Sequence, residues 1–167
     1  MKKIIFLDID GVLNSDAWYE KCIKYKLKPV HRNLDPEAIK KINEIANLTG
    51  AKIVISSSWR FDPKTPSDLK ASGLEVEIIG RTDYLNTHGS FIVRGNEIQK
   101  YISDNINDLS EGTLSYYGDY KAFVILDDDS DMLFTQADNF IQIDSMTGIT
   151  DDNVKQAVKI LNSWEKK

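Results

Sequence analysis

Cys22 is the chain's single cysteine, so no internal disulfide can form and no thiolate cluster can hold a metal. Histidine is nearly as scarce. His31 and His88 are the only two, each in a polar, loop-like stretch where a lone histidine is more often a surface group than a base or ligand. Long apolar runs are also missing: the N-terminal one, Ile4 to Leu7, is cut off by Asp8 and is too short for a signal segment or a membrane span. The expectation is an unexported, cytoplasmic protein with no membrane attachment. There is no excess of positive charge, with 21 Lys and Arg against 26 Asp and Glu and a net charge of −5. That balance argues against a protein that coats nucleic acid through its overall field and leaves room for a local basic groove. No repeat, low-complexity tract or linker divides the chain, and no obligate protein partner is evident. With 167 residues, 41% of them hydrophobic, a single domain over 1–167 is expected.

The chain is organised around the stretch KKIIFLDIDGVLN. Ile4, Ile5, Phe6 and Leu7 form the continuous apolar run that a strand covered on both faces of a parallel sheet requires. Asp8 and Asp10 follow at a spacing that points both carboxylates the same way in extended geometry, and Gly11 permits a tight turn after them. Two like charges about 4 Å apart repel by roughly 4 kcal/mol at an effective dielectric of 20. A divalent cation or a raised pKa is the expected remedy.

Residues 14–33 carry no clean period and leave two readings open: a small lid over the acidic turn, or a solvated connecting helix running to about Tyr25 and broken at Pro29. From Asp35 the pattern sharpens. Asp35 reads as an N-cap, Pro36 as the first helical residue, and Ile39, Ile42, Ile45 and Ala46 as one buried face ending at Gly50. Ile53 to Ile55 give a second buried strand running into Ser56, Ser57, Ser58, Trp59 and Arg60. A short helix and a third strand through Val76, Ile78 and Ile79 follow. One helix is then expected from Arg94, with Ile98, Tyr101, Ile102 and Ile106 inward. An arginine at a helix N-terminus has the wrong sign for the dipole, which suggests an anionic ligand nearby, a pairing with Glu97, or plain exposure. Phe123 to Leu126 form a fourth strand that ends in Asp127, Asp128, Asp129 and Asp131. NFIQID supplies a fifth strand, and DDNVKQAVKILNSW a closing helix.

Strands alternating with helices predict an α/β, Rossmann-like three-layer sandwich: a mainly parallel central sheet, helices on both faces, and a minimal cap or none. Ligands in such folds bind outside the carboxyl ends of the strands, which brings the serines and both acidic clusters to one edge.

Taken in order, DIDGV, VISSS, RGNEI and VILDDDSD resemble the four signatures of the haloacid dehalogenase superfamily of phosphohydrolases. Within it, DIDGVLN, SSSWR and RGNEI are similar to the phosphatase domain of Swiss army knife RNA repair proteins. The resemblance implies a phosphomonoester hydrolase with a nearly open site. Asp8 would be the nucleophile and Asp10 the acid and then the base. Ser56 or Ser57 would hold phosphate together with Arg94, Ser56 being preferred because it follows the strand directly. Mg²⁺ would be held by Asp8, the Asp10 carbonyl and Asp127, with Asp128 and Asp131 binding through water or orienting those ligands. Trp59 and Arg60 are candidate substrate contacts, as are Arg81 and the lysines from Lys21 to Lys28. Nucleotides or RNA and DNA ends lead as the substrate class, with small metabolites next. A regulatory module that binds phosphate or Mg²⁺ without turnover is the rival. A phospho-receiver domain fits less well, since its accepting aspartate ends the third strand, where this chain has IIGRT.

Overall fold

The computed structural model of the protein describes residues 1–28, 33–86, 92–111 and 120–163. His31, His88, Arg32, the expected break at Pro29 and Trp164 at the end of the closing helix lie outside the described residues.

Five strands, β1 (Ile4–Leu7), β2 (Lys52–Ile55), β3 (Ile78–Arg81), β4 (Phe123–Asp127) and β5 (Phe140–Gln142), form one sheet in the order β3-β2-β1-β4-β5. Every pairing is parallel. The side-chain alternation of a strand sorts the apolar residues into two layers. Ile5, Leu7, Ile53, Ile55, Val124 and Leu126 pack on one face, and Ile4, Phe6, Val54, Phe123 and Ile125 on the other. Both faces are covered, which explains why the strands read as unbroken apolar runs.

The first layer is completed by α2 (Pro36–Thr49) and α6 (Asp151–Asn162), whose Ile39, Ile42, Ile45, Val154, Ala157 and Leu161 join that core. Asp35 caps α2 by accepting from the Glu37 amide, and Gly50 ends it in the left-handed region, both as the sequence predicts. The second layer is built on α4 (Arg94–Asp104) through Ile98 and Ile102, and on Leu109 of α5 (Ile106–Ser110). A single helix was expected across these two. It breaks at Asn105, whose side-chain amide donates to the Tyr101 carbonyl, an end-of-helix bond that competes with continuation. The third strand also begins later than predicted: Val76 packs against the core from outside the strand. Helix α1 (Asp16–Tyr25) is capped by Ser15 and buries Trp18 and Cys22, and α3 (Thr65–Ala71) buries Leu69. Among the described residues no helix is long and apolar enough to cross a membrane.

The register positions the site. Leu7 lies opposite Ile55 on one side and Leu126 on the other, so Asp8, Ser56 and Asp127 are the next residues on three adjacent strands. β1 and β4 also flank the point where strand order reverses, the usual ligand crevice of an open α/β sheet.

Candidate active site

Asp8, Asp127 and Asp128 each offer a carboxylate oxygen within 4.8 Å of the other two. Asp8 and Asp127 are buried at the ends of the two central strands. Asp128 reaches them because Gly11 has no side chain: a Cβ there would lie 2.3 Å from Asp128 Oδ2. Gly11 also turns the chain in the left-handed region, at φ +70°. Burial pushes the Asp8 carboxyl up, against the pull of the Arg94 guanidinium and a hydrogen bond with Ser57. Burial and then the Asp8 charge push Asp127 up. Asp128 is raised by burial first and then by Asp129. Asp127 Oδ1 accepts from the Asp129 amide at 3.0 Å, while Oδ2 is buried without a hydrogen-bond partner. Three hard oxygen donors, an unpartnered carboxylate oxygen and a destabilised anionic state together fit a divalent cation.

Arg94 Nη1 stands 3.7 Å from Asp8 Oδ1, close enough for an ion pair but too far for a hydrogen bond, and has no hydrogen-bond partner. Ser57 favours the Asp8 anion, and its hydroxyl accepts from the Trp59 amide at 3.3 Å. Ser56 is fully buried with its hydroxyl unpartnered. The Asp10 side chain is exposed and outside the three-carboxylate group, yet it is held at both oxygens. Asn14 Nδ2 donates to Oδ1 and Trp59 Nε1 donates to Oδ2, each at 2.8 Å.

Compared with protein families, residues 4–154 match the model of the HAD domain in Swiss Army Knife RNA repair proteins. The chain belongs to that family. Comparison with curated proteins gave no match, and neither did comparison with solved structures. Membership supports a phosphatase-type hydrolase.

Several expectations for this HAD domain need correcting. Arg60 is not a free surface arginine. It is buried, with Nη2 paired to Glu97 at 2.8 Å and Nη1 donating to the Ser56 carbonyl at 2.9 Å. Trp59 is partly buried against the core and turns its N–H to Asp10. Asp131 lies at the start of α4, not in the acidic group: its Oδ2 accepts from the Arg94 amide at 2.8 Å. That carboxylate supplies the negative charge the helix N-terminus favours, so the dipole mismatch at Arg94 is met within the chain. Arg81 donates to the Arg60 carbonyl at 2.9 Å, bracing the same segment.

The sequence left Asn14 unassigned and gave Glu97 only as a partner of Arg94. Asn14 orients Asp10, and its signal was the i+4 spacing inside DIDGVLN. Glu97 reads as a surface partner of Arg94, but it is buried and serves two arginines, Arg60 at 2.8 Å and Arg94 Nε at 3.8 Å, while accepting from the Leu85 amide.

Proposed function

We propose that this HAD domain is a Mg²⁺-dependent phosphomonoester hydrolase working through an aspartyl-phosphate on Asp8, with nucleotides or nucleic-acid ends as its leading substrate class. The observation that carries the reading is the setting of Asp8: an ion-pair distance from a partly unsatisfied Arg94, beside Asp127 and Asp128.

In the first step an Asp8 oxygen attacks phosphorus in line, and the bond from phosphorus to the leaving oxygen breaks as Asp10 protonates that oxygen. In the second, water attacks the same phosphorus, Asp10 takes its proton, and the bond to Asp8 breaks to release phosphate. Asn14 and Trp59 hold the Asp10 carboxyl in one orientation for both transfers. Arg94 and Ser57 receive the equatorial oxygens, where charge is spread in the transition state. Asp8, Asp127 and the Asp10 carbonyl would hold Mg²⁺, with Asp128 binding through water or orienting them. Bound there, the ion supplies charge neutralisation and polarisation of a phosphoryl oxygen. Helix α1 borders the site: burial and then the Asp10 charge raise the Tyr19 hydroxyl.

A non-catalytic binding module has no use for an acid held at both oxygens, which favours turnover. The test is phosphate release from an aryl phosphate with Mg²⁺, by wild type and by Asp8→Asn. Activity in the wild type alone is expected; equal turnover in both would remove the covalent mechanism.

A further inference from the structure

Next to the catalytic aspartates lies a cleft of about 360 Å³ that the chemistry above leaves unused. It shares Arg94 with the catalytic site, and its lining also includes Phe61, Tyr84, Asp129 and Asp131. Phe61 and Tyr84 meet edge to face, with ring centroids 5.2 Å apart and planes at 84°. Despite that packing they are 60% and 52% exposed. An aromatic pair held half in water beside a reactive centre offers faces on which a flat ring can bury apolar area.

The pair is firmly based. The Arg60 guanidinium carbon sits 5.2 Å from the Phe61 centroid and 5.7 Å from that of Tyr84. Arg60 is itself 5% exposed and fixed by Glu97, so the rings rest on an immobilised cation. Arg60 Nε, Arg94 Nη1 and Asp131 Oδ1 are buried without hydrogen-bond partners, so polar capacity remains among the lining residues.

We propose that this cleft is the leaving-group subsite and that Phe61 and Tyr84 select a nucleoside as the leaving group, the base lying against the rings; the assignment rests on the phosphatase reading above. A phosphoryl group against Arg94 leaves its next atoms at the mouth of the cleft. The volume falls at the small end of ligand pockets, which suits one nucleoside and not a longer stretch of chain. Aromatic faces take any base, whereas an aliphatic alcohol would leave the rings wet. The carboxylates of Asp129 and Asp131 disfavour a second phosphate in the cleft, so the group it takes is uncharged. A mononucleotide presents this chemistry, and so does the terminal nucleoside of a chain whose next phosphate lies outside the cleft.

The experiment measures kcat and KM, with Mg²⁺, for a nucleoside monophosphate, an end-phosphorylated oligonucleotide and glycerol phosphate, in wild type, F61A, Y84A and the double variant, each checked for folding by circular dichroism. The ratio of kcat/KM for nucleotide to that for glycerol phosphate should fall about tenfold in the double variant, mainly through KM. Preferential loss on the mononucleotide or on the oligonucleotide supports the subsite and says which source it serves. An unchanged ratio overturns it. If wild type releases phosphate from none of the three, the phosphatase reading fails, and calorimetric titration with adenosine monophosphate and ribose phosphate judges the cleft alone. A roughly tenfold preference for the nucleotide that is lost in the double variant retains the assignment, and equal binding ends it.

Discussion

Arg60 Nη2 and Glu97 Oε2 lie 2.8 Å apart with side-chain exposures of 4% and 2%, and the same Glu97 oxygen is 3.8 Å from Arg94 Nε. A buried pair of this kind is a poor source of net stability but a strong constraint, because removing one partner strands the other charge in a dry setting. Burial alone already lowers the pKa of Arg60, and Glu97 is the first influence opposing that.

Glu97→Gln should therefore destabilise the fold by about 3 kcal/mol, read as a lower urea midpoint at unchanged m-value. Arg60→Met combined with it should recover part of the loss. A single substitution that leaves the midpoint in place would show that Arg60 is satisfied without Glu97.

Gly11→Ala tests the close approach of β1's turn to the late acidic run. A Cβ must both enter the left-handed region, at roughly 1 kcal/mol, and displace Asp128 Oδ2 from 2.3 Å. The expected result is a modest drop in melting temperature with a much larger rise in the Mg²⁺ concentration needed for half-maximal activity. Equal Mg²⁺ dependence in both proteins would mean that Asp128 has no part in holding the ion.

The sequence made the strands and the edge they share legible, because a doubly covered parallel strand must be apolar throughout and Asp8 and Asp127 end two such runs. It could not reveal which neighbour each polar group faces. Ser56 and Ser57 are adjacent and both fully buried, so only the local chain path after β2 distinguishes them: Ser57 accepts from the Trp59 amide and favours the Asp8 anion, while the Ser56 hydroxyl has no hydrogen-bond partner. Arg60 and Glu97 are 37 positions apart, so their pairing depends on how the Ser58–Phe61 turn meets α4, a relation no local pattern encodes. Asp131 looked like one more acid of the cluster, yet the chain after β4 bends away and brings it to the start of α4.

Asn14→Ala should slow turnover without loosening the fold, since Asn14 Nδ2 holds one oxygen of an otherwise exposed Asp10. A misaligned acid affects kcat, and a loss of about 10- to 100-fold with KM little changed is expected. Trp59→Phe removes the donor to the other oxygen and should act in the same direction. The two substitutions share one target, so their effects should be non-additive in a double-mutant cycle. Strict additivity would mean that the two donors act on different steps.

The acidic group predicts how stability responds to pH and to metal. Asp8 is pushed up to about 7 and Asp127 to about 8, burial being the main cause for each. In the unfolded chain both titrate near 4, so between about 4 and 8 the unfolded state gives up protons that the folded state still holds. Without divalent cations, the stability that these two carboxyls contribute should accordingly be greatest below this window, fall as pH rises through it, and level off above pH 8. Asp8→Asn removes one of the two penalties and should flatten that fall, with a melting temperature at pH 8 at or above that of wild type. Mg²⁺ binds the deprotonated carboxylates, so its stabilising effect should grow over the same range, reaching about 2.7 kcal/mol at a concentration 100 times the dissociation constant. Thermal melts from pH 5 to 8.5, with EDTA and with Mg²⁺, check both signs. Curves that rise together with pH, or a metal shift of equal size at pH 5 and pH 8, would mean that the carboxylates at the ends of β1 and β4 are not the groups that bind the ion.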